Sequence, residues 1–164
     1  HDGSRYDGQY QNGKRTGQGI FTFVNGDRYT GEFLDGEQNG TGTFTWKGGA
    51  VYEGSWKNNL QNGKGKYTWA NGDIYDGEWK DGKMDGAGIM RQADGVKFKG
   101  SFKAGLKEGY GILEDSDGIR YEGTFREGQK DGEFVEKDRN GNLIRKVKYV
   151  NGLVESVSEL TSAQ

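Results

Sequence analysis

Several residue types on which proteins build chemical sites are missing or scarce in this sequence. There is no cysteine, which excludes a disulfide framework, a thiolate metal site and a cysteine nucleophile. The single histidine is His1, so neither a histidine metal site nor a catalytic triad can form within the chain. No credible catalytic set remains, and the sequence predicts neither enzymatic activity nor a cofactor or metal.

Long apolar runs and an excess of one charge are also absent. No apolar stretch approaches the length of a membrane span, and no signal peptide is visible. Only 30% of the residues are hydrophobic. The 23 basic and 25 acidic residues give a formal net charge of −2. The sequence therefore lacks the excess of basic residues that is typical of a nucleic-acid-binding protein, and we expect no nucleic-acid partner.

Glycine and aromatic residues are abundant instead. The chain has 31 glycines, and 13% of its residues are aromatic. Without proline or a Gly-X-Y period, this much glycine is typical of neither collagen nor a stiff linker. The recurrent aromatic residues argue against disorder.

These residues recur with a fixed period of 23. Each copy opens with aromatic-x-Gly-x-aromatic, continues with Gly-x-Gly and two alternating bulky positions, and ends on Asn-Gly, Asp-Gly or Gly-Gly. A fixed period of this length indicates a stack of similar supersecondary units. Such a stack favours a protein that binds through an extended surface over an enzyme with its site in a pocket. The opening positions are Tyr6, Tyr29, Tyr52, Tyr75, Phe98 and Tyr121.

Bulky and polar residues alternate within each copy, which predicts two short strands per repeat. Asn25-Gly26 predicts a tight type I′ hairpin turn between two strands. Residues 34–39 predict a six-residue loop with a central glycine, where Asn59 substitutes in the next copy as the next best residue for a left-handed conformation. The expected fold is all-β: an elongated single-layer antiparallel sheet of stacked β-hairpins.

Glycine at strand positions normally weakens a strand. Here we expect each glycine to leave room for a Tyr or Trp ring from an adjacent strand. The rings would then form one aromatic face, with polar residues on the other.

The pattern weakens toward the C-terminus. We assign residues 1–132 to six repeats, with His1–Gly3 as the end of a preceding repeat, so we expect the chain to begin inside a longer array. Residues 133–164 are interpreted as a degenerate terminal hairpin and a cap. Leu153, Val157 and Leu160 recur at i, i+4 and i+7, which predicts a short C-terminal helix.

The frame resembles the MORN (membrane occupation and recognition nexus) repeat. Tyr75-Asp-Gly-Glu-Trp79 followed by Gly82, Gly86 and Gly88 is a close match, and six copies in phase make the resemblance specific. The resemblance implies stacked hairpins with a shallow aromatic groove. It also implies scaffolding, binding of a partner helix or peptide, self-association, or contact with acidic phospholipids. Family members occur in cytoskeletal, ciliary and membrane-junction proteins, which favours a cytoplasmic, cytoskeletal or membrane-associated setting.

The aromatic face is the strongest candidate site. In one interpretation, its rings pack only on one another and on glycine. In the other, part of the face also stays open to a partner. The sequence is compatible with both. All four tryptophans lie in copies two to four. The candidate partner-binding residues are Tyr29, Phe33, Phe44, Trp46, Tyr52, Trp56, Tyr67, Trp69, Tyr75 and Trp79.

Two charged groups are weaker candidates. Lys97, Lys99, Lys103 and Lys107 lie within eleven residues and could attract anionic lipid head groups. Acidic residues follow them closely, so a solvated face is the simpler interpretation. The recurring carboxylates form a row and not one asymmetric site, which predicts a solvated face as well.

We predict a noncatalytic interaction scaffold that binds a partner helix or extended peptide, or a second copy, through the aromatic face. A peripheral membrane adaptor for acidic phospholipids and an accessory module of a larger enzyme are the alternatives.

Overall fold

A computed structural model describes residues 3–159. These residues form 14 strands and no helix, and the strands follow one another in chain order in an antiparallel sheet. The predicted all-β sheet of hairpins is therefore confirmed. The strands are β1 Arg5–Gln11, β2 Lys14–Thr22, β3 Arg28–Leu34, β4 Glu37–Thr45, β5 Val51–Lys57, β6 Leu60–Thr68, β7 Ile74–Lys80, β8 Lys83–Arg91, β9 Lys97–Lys103, β10 Leu106–Glu114, β11 Arg120–Arg126, β12 Gln129–Lys137, β13 Leu143–Val150 and β14 Leu153–Glu159.

The chain divides into two compact units, His1–Lys83 and Met84–Gln164. In the described part of the first unit, β3, β5 and β7 each place two rings on one face and bury them. In the second, β9 does the same with Phe98 and Phe102, and β11 buries Phe125. Phe134 on β12 and Val147 and Tyr149 on β13 continue this buried face. The core of each unit thus lies on one face of its strands.

The two kinds of turn are the reverse of the prediction. Asp35 and Gly36 alone separate β3 from β4, and both have positive φ, 49° and 84°. Positive φ at both central residues is the mark of a type I′ turn. Asn58 and Asn59 form the equivalent turn with φ of 50° and 66°, which confirms the left-handed conformation expected of Asn59. The predicted six-residue loop over 34–39 is wrong, because β4 already begins at Glu37.

The Asn25-Gly26 segment is not a two-residue turn. Five residues, Phe23 to Asp27, separate β2 from β3, and only Gly26 among them has positive φ. The Phe23 amide donates to the Asp27 carbonyl (2.8 Å), and the Gly26 amide donates to the Phe23 carbonyl (3.0 Å). The Asn25 side chain accepts from the Asp27 amide (2.9 Å), so asparagine here stabilises a longer turn through its side chain.

The predicted C-terminal helix is also wrong over the described residues. Leu153–Glu159 is strand β14, paired with β13 in a register that sets Val157 opposite Val147. Hydrogen bonding to the edge of β13 satisfies the backbone, whereas an isolated helix this short is marginal in water. Leu160, the third residue of the predicted helical pattern, lies outside the described residues.

Candidate functional site

Paired glycines bring the aromatic face together. Gly42 on β4 pairs with Gly31 on β3 and with Gly54 on β5. A side chain at Gly42 would collide with the Tyr29 ring, which occupies the space above it. The Tyr29 hydroxyl donates to the Glu32 carbonyl (2.8 Å), at the bulge between Gly31 and Phe33. The ring is thus locked over bare backbone, as expected from the glycine pattern.

The same arrangement recurs one and two repeats later. Tyr52 covers Gly65 and donates to the Ser55 carbonyl (2.9 Å), and Tyr75 donates to the Glu78 carbonyl (2.9 Å). Burial raises the pKa values of Tyr29 and Tyr52 well above their ordinary value, because the phenolate would lose its hydration. These hydroxyls therefore act as fixed structural donors.

Buried rings of the first unit form an edge-to-face row. Tyr29 meets Trp56 at 5.4 Å between ring centroids, Trp56 meets Tyr52 at 5.1 Å, and Tyr52 meets Trp79 at 5.3 Å, with interplanar angles of 82° to 90°. Both indole N–H groups are used internally, since Trp56 donates to the Gly42 carbonyl and Trp79 to the Gly65 carbonyl, each at 3.0 Å. The edge-to-face row consists of Tyr29, Phe33, Tyr52, Trp56, Tyr75 and Trp79.

A second row lies beside it and is more open. Its neighbouring rings are tilted by 40° to 57°, with centroids 4.4 to 5.6 Å apart. Phe44 is buried, and the other five rings are half-buried. The two rows touch where Phe44 meets Trp56 (6.0 Å) and Tyr67 meets Trp79 (5.9 Å). We call this the tilted row: Phe21, Phe23, Phe44, Trp46, Tyr67 and Trp69.

The predicted aromatic set therefore divides into two groups. Six of its ten members are buried in the edge-to-face row and offer a partner little surface. Phe44, Trp46, Tyr67 and Trp69 belong to the tilted row. The prediction omitted Phe21 and Phe23, which lie 23 residues before Phe44 and Trp46; the repeat period was the signal that could have found them.

A cavity of about 350 Å³ opens at the start of the tilted row. The guanidinium of Arg15 stacks over Phe21 at 4.7 Å and donates two hydrogen bonds to the Gly36 carbonyl (2.6 and 3.2 Å). Apolar walls with a few fixed polar groups suit an apolar side chain carried on a polar backbone. The lining comprises Arg15, Phe21, Phe23, Phe33, Gly36, Gln38, Phe44 and Asn59.

The second unit keeps the edge-to-face packing but not the tilted row. Phe98 meets Phe125 at 4.9 Å, and Phe125 meets Phe134 at 5.3 Å. Phe134 lies against Gly123, and Tyr121 instead donates its hydroxyl to the Asp115 carboxylate (3.2 Å). The positions equivalent to Tyr67 and Trp69 are held by Met90 and Gln92, then by Leu113 and Asp115.

The four predicted lipid-binding lysines do not lie together. Lys97, Lys99 and Lys103 alternate with Phe98 and Phe102 along β9 and so lie on the polar face. Lys97 pairs in register with Glu114, and both line a cavity of about 250 Å³ with Lys99, Ile112, Arg120 and Glu122. Lys107 pairs in register with Phe102 and lies on the aromatic face.

Three of the recurring carboxylates, Glu53, Asp76 and Glu78, lie opposite lysines. Glu53 pairs in register with Lys66, Lys66 with Asp76, and Lys64 with Glu78. Opposite charges facing each other across strands stabilise a sheet modestly. Over residues 3–159, no three acidic, histidine or cysteine side chains cluster as metal ligands would. No helix of that range is long and apolar enough to cross a membrane.

A family model for the MORN repeat matches six consecutive segments, residues 6–28, 29–51, 52–74, 75–97, 98–120 and 121–142. No curated protein matches the sequence. Among solved structures, the chain is similar to the TCP domain of SAS-4 (dCPAP) of Drosophila melanogaster in complex with a proline-rich motif of Ana2 (dSTIL). The identity is 16%, the coverage 88% of this chain and 85% of that chain, and the TM-score 0.48. It is also similar to the wild-type TCP10 domain of Danio rerio CPAP, with 16% identity, 87% and 68% coverage, and a TM-score of 0.48.

Proposed function

Because the chain belongs to the MORN repeat family, we propose that it is a noncatalytic interaction scaffold whose aromatic face binds a peptide or helix of a partner protein. The observation that carries this proposal is the difference between the two rows of rings. Packing alone accounts for the edge-to-face row, which is buried and has its hydrogen-bonding groups satisfied internally. The tilted row remains half-open beside a cavity.

Half-buried Trp and Tyr rings suit recognition. They present large, rigid contact area at low entropic cost, and such residues dominate binding energy at protein interfaces. Trp46, Tyr67 and Trp69 lie on consecutive copies of the repeat, so a partner segment crossing the strands would meet them in succession. Neighbouring strands lie about 4.8 Å apart, which gives an interval of about 9.6 Å between equivalent rings.

A peptide selection on the intact chain tests the proposal. Random peptides displayed on phage are selected on the wild-type protein and then compared on the Trp46→Ala/Trp69→Ala double variant. We expect the selected peptides to be rich in apolar residues and to lose binding to the double variant. If the peptides bind both proteins equally well, the tilted row is not the binding site.

The alternative of a membrane adaptor is tested separately. Two of the lysines that would carry it, Lys97 and Lys99, line a cavity together with Glu114 and Glu122, and Lys97 pairs in register with Glu114. Sedimentation with vesicles of neutral and of acidic phospholipid distinguishes the two functions. Binding to acidic vesicles that Lys97→Gln and Lys99→Gln abolish would support the adaptor.

A further inference from the structure

At one position of the repeat, on the aromatic face, the type of residue changes from copy to copy. Residues spaced by 23 occupy it. The first copy has Arg15, whose guanidinium donates to the Gly36 carbonyl, and the second to fourth copies have the neutral residues Gln38, Gln61 and Met84. In the fifth and sixth copies they are Lys107 and Lys130. Both lysines lie in the second unit, on the face that carries its aromatic core.

Both ammonium groups lie over aromatic rings. The Lys107 Nζ atom lies 5.1 Å from the centroid of Phe98 and 5.8 Å from that of Phe125. The Lys130 Nζ atom lies 3.9 Å from the centroid of Tyr121 and 4.8 Å from that of Tyr149. Within residues 3–159, neither ammonium group has a carboxylate oxygen within 4.0 Å.

Nearby carboxylates already have other partners. Glu136 is buried and forms an ion pair with Arg145, and Asp115 accepts from the Ile119 amide (3.0 Å) and the Tyr121 hydroxyl. Burial lowers the pKa of Lys107, and it also lowers the pKa of Lys130, where the negative charge of Glu136 acts in the opposite direction and the positive charges of Lys107 and Arg145 add to the lowering. A bound anion would favour the charged forms of both lysines, which burial disfavours.

An apolar cavity adjoins Lys107. Its volume is about 230 Å³, and its lining includes Met84, Met90, Phe102 and Leu106 together with Lys107. Methionine side chains adapt their shape to different apolar groups. The site therefore combines space for an apolar side chain with a cation at its wall.

We propose that the aromatic face of the second unit binds an acidic, partly apolar peptide segment of a partner protein, with carboxylates on Lys107 and Lys130 and an apolar side chain in the methionine-lined cavity. This inference rests on the proposed function and names the chemistry of the partner. Equivalent positions in consecutive repeats are about 9.6 Å apart. Glutamates three residues apart in an extended polyproline II segment, which rises about 3.1 Å per residue, match this interval.

A membrane surface fits the site less well. A bilayer approaches a protein as a broad surface and meets protruding cations first. Lys107 is half-buried among rings, where a narrow chain can reach it more easily than a layer of head groups.

The test uses a labelled synthetic peptide with two glutamates three residues apart and leucines beside them, and its analogue with glutamines. Lys107→Gln and Lys130→Gln are well-matched variants, because Gln38 and Gln61 occupy the same position in other repeats. Lys103→Gln is the control, since it removes the same charge from the opposite face. Fluorescence anisotropy gives the affinities, and thermal unfolding shows whether each variant is folded.

We expect the glutamate peptide to bind at least about tenfold more tightly than its glutamine analogue, and each aromatic-face variant to weaken it by about tenfold. Lys103→Gln should leave the affinity within about twofold. The inference would be overturned if the two peptides bound equally well, or if Lys107→Gln kept the wild-type affinity for the glutamate peptide. It would also be overturned if Lys103→Gln lost as much affinity as the aromatic-face variants. If the peptide does not bind and the protein binds acidic vesicles in a way that depends on Lys107, the site is a lipid site and not a peptide site.

These results separate the inference from the proposed function. If phage-selected peptides depend on Trp46 and Trp69 while the glutamate peptide does not bind, the inference fails and the proposed function stands. If binding of the glutamate peptide requires Lys107 and Lys130 but no selected peptide requires the tryptophans for binding, the inference stands and the tilted row is not part of the binding site.

Discussion

The ring of Tyr52 occupies the space in which a side chain at Gly65 would lie. Tyr52 on β5 and Gly65 on β6 are thus complementary, and the Tyr52 hydroxyl is anchored on the Ser55 carbonyl. The ring then supports Trp56 and Trp79, whose centroids lie 5.1 and 5.3 Å away. One glycine therefore determines the position of three rings.

Gly65→Ala should destabilise the protein by about 1–3 kcal/mol, because the added methyl group must displace the Tyr52 ring from a packed site. Gly48→Ala is the control. A methyl group at Gly48 would point into open space, and the backbone there does not have positive φ, so the free energy of unfolding should change by no more than about 0.5 kcal/mol. Urea unfolding followed by tryptophan fluorescence measures both. Equal changes in the two variants would contradict the assigned role of Gly65.

The sequence predicts the sheet and its aromatic face well, because both follow from a period that repeats in every copy. It predicts the turns poorly. Asn25-Gly26 and Asp35-Gly36 are both strong two-residue turn signals, and the strand register, which depends on hydrogen bonding along whole strands, decides which is a tight turn. The local sequence does not reveal the C-terminal strand for a similar reason, since the backbone of that strand is satisfied by pairing with β13.

The division of the aromatic residues into a buried and a half-open row could not be predicted from alternation alone. Trp46 and Trp56 have the same residue type and the same predicted face. The structure distinguishes them because Trp46 lies in the turn after β4, whereas Trp56 lies within β5 and donates to the Gly42 carbonyl. The candidate residues predicted from the sequence do not include Lys130, although it lies 23 residues after Lys107.

Truncation should distinguish the two rows. Trp56→Ala and Trp79→Ala remove rings that are 5% and 7% exposed, so each should cost about 3–5 kcal/mol of stability. Trp46→Ala and Trp69→Ala remove half-buried rings; they should cost less stability and more peptide affinity. Thermal unfolding and binding of the phage-selected peptides, measured on all four variants, check this. Unchanged melting together with unchanged binding in all four would contradict the aromatic-face assignment.

Stability should fall at alkaline pH through the buried tyrosines. The folded-state pKa values of Tyr29 and Tyr52 are raised above the ordinary value of 10.0. The unfolded chain therefore releases these protons first, and ionisation favours unfolding. The contribution is fully present below about pH 9 and is lost progressively above about pH 10. Urea unfolding at a series of pH values measures it.

The control for this pH dependence is the Tyr29→Phe/Tyr52→Phe double variant. It should be less stable at neutral pH, because two hydroxyl hydrogen bonds of about 1 kcal/mol each are lost. Its stability should fall less steeply above pH 10, because two of the shifted groups are gone. A slope identical to that of the wild type would assign the alkaline transition to other residues.

Charge reversal on the polar face tests which face binds the partner. Glu53 and Glu78 are exposed, and each lies opposite a lysine of β6. Glu53→Lys and Glu78→Lys should each cost up to about 1 kcal/mol of stability, because like charges would then face each other across strands. Neither change reaches the tilted row, so affinity for the phage-selected peptides should remain within about twofold of the wild type. The same peptides should fail to bind Trp46→Ala and Trp69→Ala. If the glutamate reversals abolish binding and the tryptophan truncations leave it intact, the partner binds the polar face.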